Sequence, residues 1–248
     1  MNELNIVTGG TSGIGLELAR KLAKTSDLAL IYHSDHEKAR HAIDDLQRIG
    51  PELNARVFSA NLGRVEDARR VFQEIEAWDP RPPAALINCA GRGHVSFLVT
   101  DPIETMQAVF ESNLYSMIYA THLAARRMAK VKAGRIVSLS SIAATGGSQG
   151  HALYGAAKAA IESFTKATSD ELWRRGVTIN CVRPGLVDTP MTAKLLHASA
   201  QAKEELVAIE AVVAGIQFFL APEARVITGQ VLTVDHGRCR ARSTVETL

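Results

Sequence analysis

Apolar residues in this chain fall in short runs separated by longer stretches where they recur every three or four positions. The runs at 4–8, 28–32, 56–60, 84–87, 135–140, 178–182 and 230–234 read as strands. The spacing between them predicts helices over 16–22, 37–47, 65–77 and 103–128, and from 154 through 172. A proline-rich stretch at 79–83 breaks the third helix and is expected as a surface loop. Strands alternate with helices throughout, which predicts an α/β fold built on one doubly wound parallel sheet. No internal repeat or long linker divides the chain, so residues 1–248 are expected as one domain.

Composition narrows the function class. Hydrophobic residues make up 46%, enough for a buried core, and the net charge is +2 with signs mixed along the chain. That balance gives no nucleic-acid surface. No apolar stretch approaches the ~20 residues a membrane span needs, and the start lacks a basic region followed by a long apolar one. Cys89, Cys181 and Cys239 are odd in number and dispersed, so neither a disulfide framework nor a zinc site is expected. A cytoplasmic location follows as the expectation. His33, His36 and His41 lie close in sequence without a Cys or acidic partner completing a ligand set, and are expected as solvated helix-start residues, with no metal site.

The candidate chemistry sits where strands end. The first strand runs into Gly9, Gly10, Thr11, Ser12, Gly13, Ile14 and Gly15, and a helix follows. Glycines permit the tight turn and let backbone N–H groups approach a pyrophosphate, and the helix N-terminus adds donors and partial positive charge. This predicts a dinucleotide site. The second strand ends at His33 and Ser34, where the adenosine ribose is expected. A histidine and a hydroxyl suit a 2′-phosphate, so NADPH is expected over NADH, with Asp35 as the competing ribose ligand. Past the fourth strand, Asn88, Cys89, Ala90 and Gly91 are small enough to let a cofactor lie on the strand ends.

Ser141 follows the fifth strand at the edge where open α/β sheets bind ligands. Tyr154 and Lys158 are four apart on a helix and share a face, with only Gly155, Ala156 and Ala157 between them. A free phenol titrates near ~10, and a fixed cation beside it favours the phenolate. Tyr154 is therefore a candidate general acid or base. Asn113 falls inside the long fourth helix, where a poor helix former needs partners. It is expected either to hold a water or to bend the helix by bonding to backbone.

Taken in order, the glycine loop, the segment from Asn88 to Gly91, Asn113, Ser141, the Tyr154–Lys158 pair and Pro184-Gly185 resemble the short-chain dehydrogenase/reductase family over nearly the whole chain. The resemblance implies a Rossmann-like sheet and a set of roles. Tyr154 would pass a proton to or from the substrate oxygen. Lys158 would assist it and hydrogen-bond the nicotinamide ribose. Ser141 would hold the substrate oxygen, with Ser140 as its competitor, and Asn113 would anchor a water chain. Pro184, Gly185, Val187 and Thr189 would meet the nicotinamide end, and Asn61 with Leu62 would meet the adenine. Some positions depart from the pattern. Asn61 replaces a usual Asp, Cys89 replaces a usual Asn, and within the substrate-covering segment 190–211 the stretch 193–211 lacks its common glycines and prolines. The tail 237–248 is long and basic.

Within the family the chain most resembles 3-oxoacyl-[acyl-carrier-protein] reductases. That implies NADPH-dependent reduction of a β-ketoacyl thioester in fatty-acid or polyketide-type biosynthesis. An acidic carrier protein could meet Arg126, Arg127, Lys130 and Lys132, though these read more simply as a solvated helix end. Two other readings stand beside it: a dehydrogenase of a small sugar, polyol or other alcohol, and a non-catalytic cofactor-binding sensor or scaffold subunit. The resemblance also implies a homo-oligomer, dimer or tetramer, joined through the helices at 115–128 and 154–173.

Overall fold

The computed structural model describes residues 2–146, 149–193 and 206–237. Seven parallel strands form one sheet: β1 (Glu3–Thr8), β2 (Ser26–Tyr32), β3 (Ala55–Ser59), β4 (Ala85–Asn88), β5 (Gly134–Leu139), β6 (Val177–Pro184) and, last in the chain, β9 (Val231–Val234). Their spatial order is β3-β2-β1-β4-β5-β6-β9. The order reverses between β1 and β4, which is the switch point where such sheets open a crevice for ligands. Two short strands outside it, β7 (Leu186–Val187) and β8 (Leu206–Val207), pair with each other and bracket most of the expected substrate-covering segment. Residues 194–205 of that segment, and 238–248 of the expected tail, lie outside the described residues.

Alternation along each strand builds two cores. Leu4, Ile6, Ala29 and Ile31 face α3 (Val65–Trp78) and α5 (Ser116–Val131). Val7, Leu28 and Leu30 face α1 (Gly13–Leu22) and α7 (Ile209–Leu220), with α2 (His36–Ile49) at the edge. Both faces of the sheet are covered, so its strands read as near-continuous apolar runs. Each fully buried Leu, Ile or Val contributes roughly 1.5–3 kcal/mol, which makes the sheet a rigid platform for the loops at its ends.

Two expectations are corrected. The helix expected over 103–128 is two helices, α4 (Ile103–Phe110) and α5, joined by a π-turn at Glu111–Tyr115. Its cause is Asn113, whose Nδ2 donates to Val109 O and Arg92 O at 3.0 Å each. The side chain competes with the backbone ladder and opens it by one residue. The proline-rich stretch is also no simple surface loop. Asp79 is buried, Arg81 bridges Asp79 and Asp27, and Arg127 reaches in from α5 to donate to the Pro80 and Arg81 carbonyls at 3.0 Å. Arg127 therefore leaves the basic cluster in which it was placed.

Candidate active site

A cleft of about 530 Å3 opens along the C-terminal ends of β1, β4, β5 and β6. Its floor begins with the glycine loop. Gly9 has φ +65, and a Cβ there would touch the Ala90 backbone at 3.0 Å. A Cβ on Gly15 would meet Gly9 O at 2.4 Å, so the helix packs onto the loop only with glycine at this position. Ser12 caps α1 without a side-chain hydrogen bond, and no acidic residue occupies the first turn. The N–H groups of that turn are left for an anion, and nothing negative opposes one. A pyrophosphate fits this cradle.

The opposite wall comes from β5 and α6 (Ala152–Trp173). Gly155 faces the Ala143 carbonyl so closely that a Cβ would lie 2.6 Å from it, and this holds α6 against the β5 exit. Tyr154 and Lys158 both line the cleft, with Nζ 5.6 Å from the Tyr154 ring centroid. Lys158 is buried and donates to Leu139 O at 3.0 Å. Ser141 also lines the cleft, and its hydroxyl oxygen accepts from Ala143 N at 3.2 Å, leaving the hydroxyl proton available. Ser140 turns inward, donating to Glu162 Oε1 at 2.6 Å, with the Lys158 carbonyl at 3.2 Å.

Glu162 also accepts from Arg183 Nε at 2.8 Å, on the strand that leads into Pro184 and Gly185. Burial is the largest single influence on Glu162 and pushes its carboxyl up, but Arg183 and Ser140 together hold it below the usual range. One turn of α6 thus grips β5 and β6 at the residues just before the cleft. Burial pushes the Cys89 thiol up to about 12, so this part of the wall is neutral.

Gly9, Ser12, Gly13, Ile14, Gly15, Ala90, Gly91, Ser141, Tyr154, Lys158, Pro184, Gly185, Val187 and Thr189, all singled out from sequence, come together here. Thr11, His33, Ser34, Asn61, Leu62, Asn88 and Asn113 do not line the cleft. Thr11 and the Leu62 side chain are buried in the packing. The Asn88 amide donates to Thr121 Oγ1 and Ser138 Oγ at 3.1 Å each, tying strand to helix, so Asn88 and Leu62 reach a cofactor only by backbone groups. The Asn61 side chain accepts from Gly63 N. His33 and Ser34 stand exposed past the end of β2. Asn113 sits behind the wall, fixing Arg92 through both its N–H and its carbonyl. A Cβ on Gly91 would lie 2.8 Å from Asn113 Oδ1 and 3.5 Å from Lys158 Nζ, so that glycine keeps the two side chains together.

Three groups at the site were not singled out from the sequence. His94 and His151 line the cleft, and Glu162 braces it. Glu162 had one available signal: it is four residues after Lys158 on the same helical face.

Residues 3–200 match the family model described as short chain dehydrogenase. A 3-oxoacyl-[acyl-carrier-protein] reductase of Synechocystis is 32% identical, with 95% of this chain and 96% of the relative covered. Carbonyl reductase family member 4 of Danio rerio is 30% identical, with 96% and 98% covered. Among solved structures, an actinorhodin polyketide ketoreductase with NADPH is 27% identical at a TM-score of 0.89, covering 96% of this chain and 98% of that one.

Proposed function

The chain belongs to the short chain dehydrogenase family of NAD(P)-dependent oxidoreductases, and from that premise we propose that it reduces the keto group of a β-ketoacyl thioester with NADPH. The observation that carries this reading is the convergence of Ser141, Tyr154 and Lys158 on one cleft beside the glycine cradle. The names of the Synechocystis relative and of the polyketide ketoreductase favour a keto group on an acyl chain.

The glycine loop would hold the pyrophosphate, His33 and Ser34 the 2′-phosphate, and Pro184, Gly185, Val187 and Thr189 the nicotinamide end. When bound, the cofactor supplies hydride to the carbonyl carbon. Ser141 donates its hydroxyl proton to the carbonyl oxygen and orients it. Tyr154 gives its phenolic proton to that same oxygen as charge develops there. The Lys158 ammonium stabilises the phenolate left behind, and Asn113 keeps the wall beside Lys158 fixed. Oriented donors of this kind act on the transition state without reorganising.

The basic helix end now consists of Arg126, Lys130 and Lys132, a smaller surface for an acidic carrier protein. We read the enzyme as cytoplasmic and as a dimer or tetramer joined through α5 and α6. No helix among the described residues is long and apolar enough to cross a membrane. Steady-state kinetics with NADPH and NADH, on an acetoacetyl thioester and on a panel of simple ketones and alcohols, tests the proposal. Turnover of the simple compounds alone would move the assignment to a small-alcohol dehydrogenase. No turnover of any would favour a cofactor-binding subunit.

A further inference from the structure

Resting on the reductase reading, we propose that His94 and His151 form a pair of hydrogen-bond acceptors that selects substrates carrying an N–H or O–H donor near the reacting ketone. Both line the cleft, among Val95, Ile142, Leu186 and Met191. The loops that carry them are clasped, since Ser96 N donates to Gly150 O at 2.9 Å.

What each ring offers is set by its partner. His94 Nε2 lies 2.8 Å from Asp101 Oδ2, and that carboxylate is held ionised by His94 and by Ser96. A carboxylate only accepts, so Nε2 carries the hydrogen, and a neutral His94 has its lone pair on Nδ1. Both side chains are largely enclosed, His94 at 13% exposure and Asp101 at 5%, which fixes the ring. His151 is set the opposite way round. Its Nδ1 lies 3.2 Å from the Gln149 carbonyl, which also only accepts, so the lone pair falls on Nε2. Neither Nδ1 of His94 nor Nε2 of His151 bonds to a described residue.

Charge supports the same conclusion. Lys158 is the only lysine, arginine, aspartate or glutamate among the described residues lining the cleft, and its ammonium already bonds to Leu139 O. A substrate held by a carboxylate or phosphate would find no arginine here. One presenting a hydroxyl, or the amide N–H of a thioester arm, finds two imidazole acceptors beside the apolar side chains of Val95, Ile142, Leu186 and Met191. A site built to receive such a donor rejects the analogue lacking it, because its own polar atom is left unpaired.

The test uses acetoacetamide and N,N-dimethylacetoacetamide, which share the ketone and differ in the donor, with methyl acetoacetate as a second donor-free probe. Wild-type kcat/KM should favour acetoacetamide over its dimethyl analogue by about tenfold or more. The double variant His94→Leu with His151→Leu should bring that ratio close to one while still reducing methyl acetoacetate. His94→Gln with His151→Gln, which restores acceptor oxygens, should recover part of it. A wild-type ratio near one, or a ratio unmoved by the leucine pair, would overturn the proposal. Independently of turnover, 15N NMR of histidine-labelled enzyme should find His94 protonated on Nε2 and His151 on Nδ1 at neutral pH. The opposite tautomers would defeat this inference alone. No reduction of acetoacetamide by an enzyme that still turns over an acetoacetyl thioester would also overturn the proposal, whereas no turnover of that thioester, with the expected tautomers present, would defeat the reductase reading alone.

Discussion

Ser140 Oγ donates to Glu162 Oε1 across 2.6 Å, and this bond separates the roles of two adjacent serines. With its proton committed inward, Ser140 has none left for a substrate, whereas the Ser141 hydroxyl still does. Ser141→Ala should therefore lower kcat by about a hundredfold or more, the scale of a lost oxyanion donor, with little change in Tm. Ser140→Ala should behave the other way, costing about 1–3 kcal/mol of stability through the weakened Glu162 site. Tm and kcat measured on both variants separate the two roles. Equal kinetic losses would put Ser140 in contact with substrate.

The Glu162–Arg183 pair makes stability depend on pH at the acid end. Glu162 has a lower pKa folded than unfolded, where glutamate titrates near 4.5. The unfolded chain then binds the extra proton as pH falls. The stabilisation is complete above the unfolded value and is lost as pH drops through the folded one. Asp79, held down by Arg81, acts in the same direction. Glu162→Gln should be destabilised by about 3 kcal/mol at pH 7, the scale of removing one charge from a buried ion pair. Its Tm should also fall less steeply than wild type as pH drops from about 5 towards 3. Parallel Tm–pH curves would contradict the account.

Cofactor choice turns on Asp35. Its side chain caps α2 by accepting from Lys38 N at 3.0 Å and pairs with Lys38 Nζ at 2.8 Å. Those bonds hold it away from the role of ribose ligand and leave the end of β2 to His33 and Ser34. NADPH should be preferred over NADH in kcat/KM, and Asp35→Asn should not alter the ratio, because Asn caps helices equally well. His33→Asp should shift preference toward NADH by about tenfold through charge repulsion of the 2′-phosphate. An Asp35→Asn variant that loses NADH activity selectively would restore Asp35 as the ribose ligand.

Sequence legibility followed the range of the interaction. β1, β2 and β5 could be read because strands buried on both faces are rich in apolar residues, as around Ile6, Leu30 and Val137. The glycine loop could be read because Gly9 and Gly15 answer to local geometry. The π-turn could be read only as far as Asn113, a poor helix former for which bonding to backbone is one expectation; its form could not, since a single extra residue leaves the apolar spacing of 103–128 nearly intact. Arg127 looked like surface charge, for nothing nearby in sequence reveals carbonyls 46 and 47 residues away that draw it inward. His94 and Asp101, and likewise Glu162 and Arg183, meet only because the sheet brings separate loops and strands to one edge.

The central claim is that the Tyr154 phenol delivers the proton while the rest of the cleft binds and orients. Tyr154→Phe removes one oxygen at the wall and leaves the glycine cradle, Ser141 and Lys158 in place. Single-turnover reduction of an acetoacetyl thioester by bound NADPH should slow by about a thousandfold, the range of a lost general acid, with the Kd for NADPH changed less than threefold. Reduction at the wild-type rate in that variant would contradict the account.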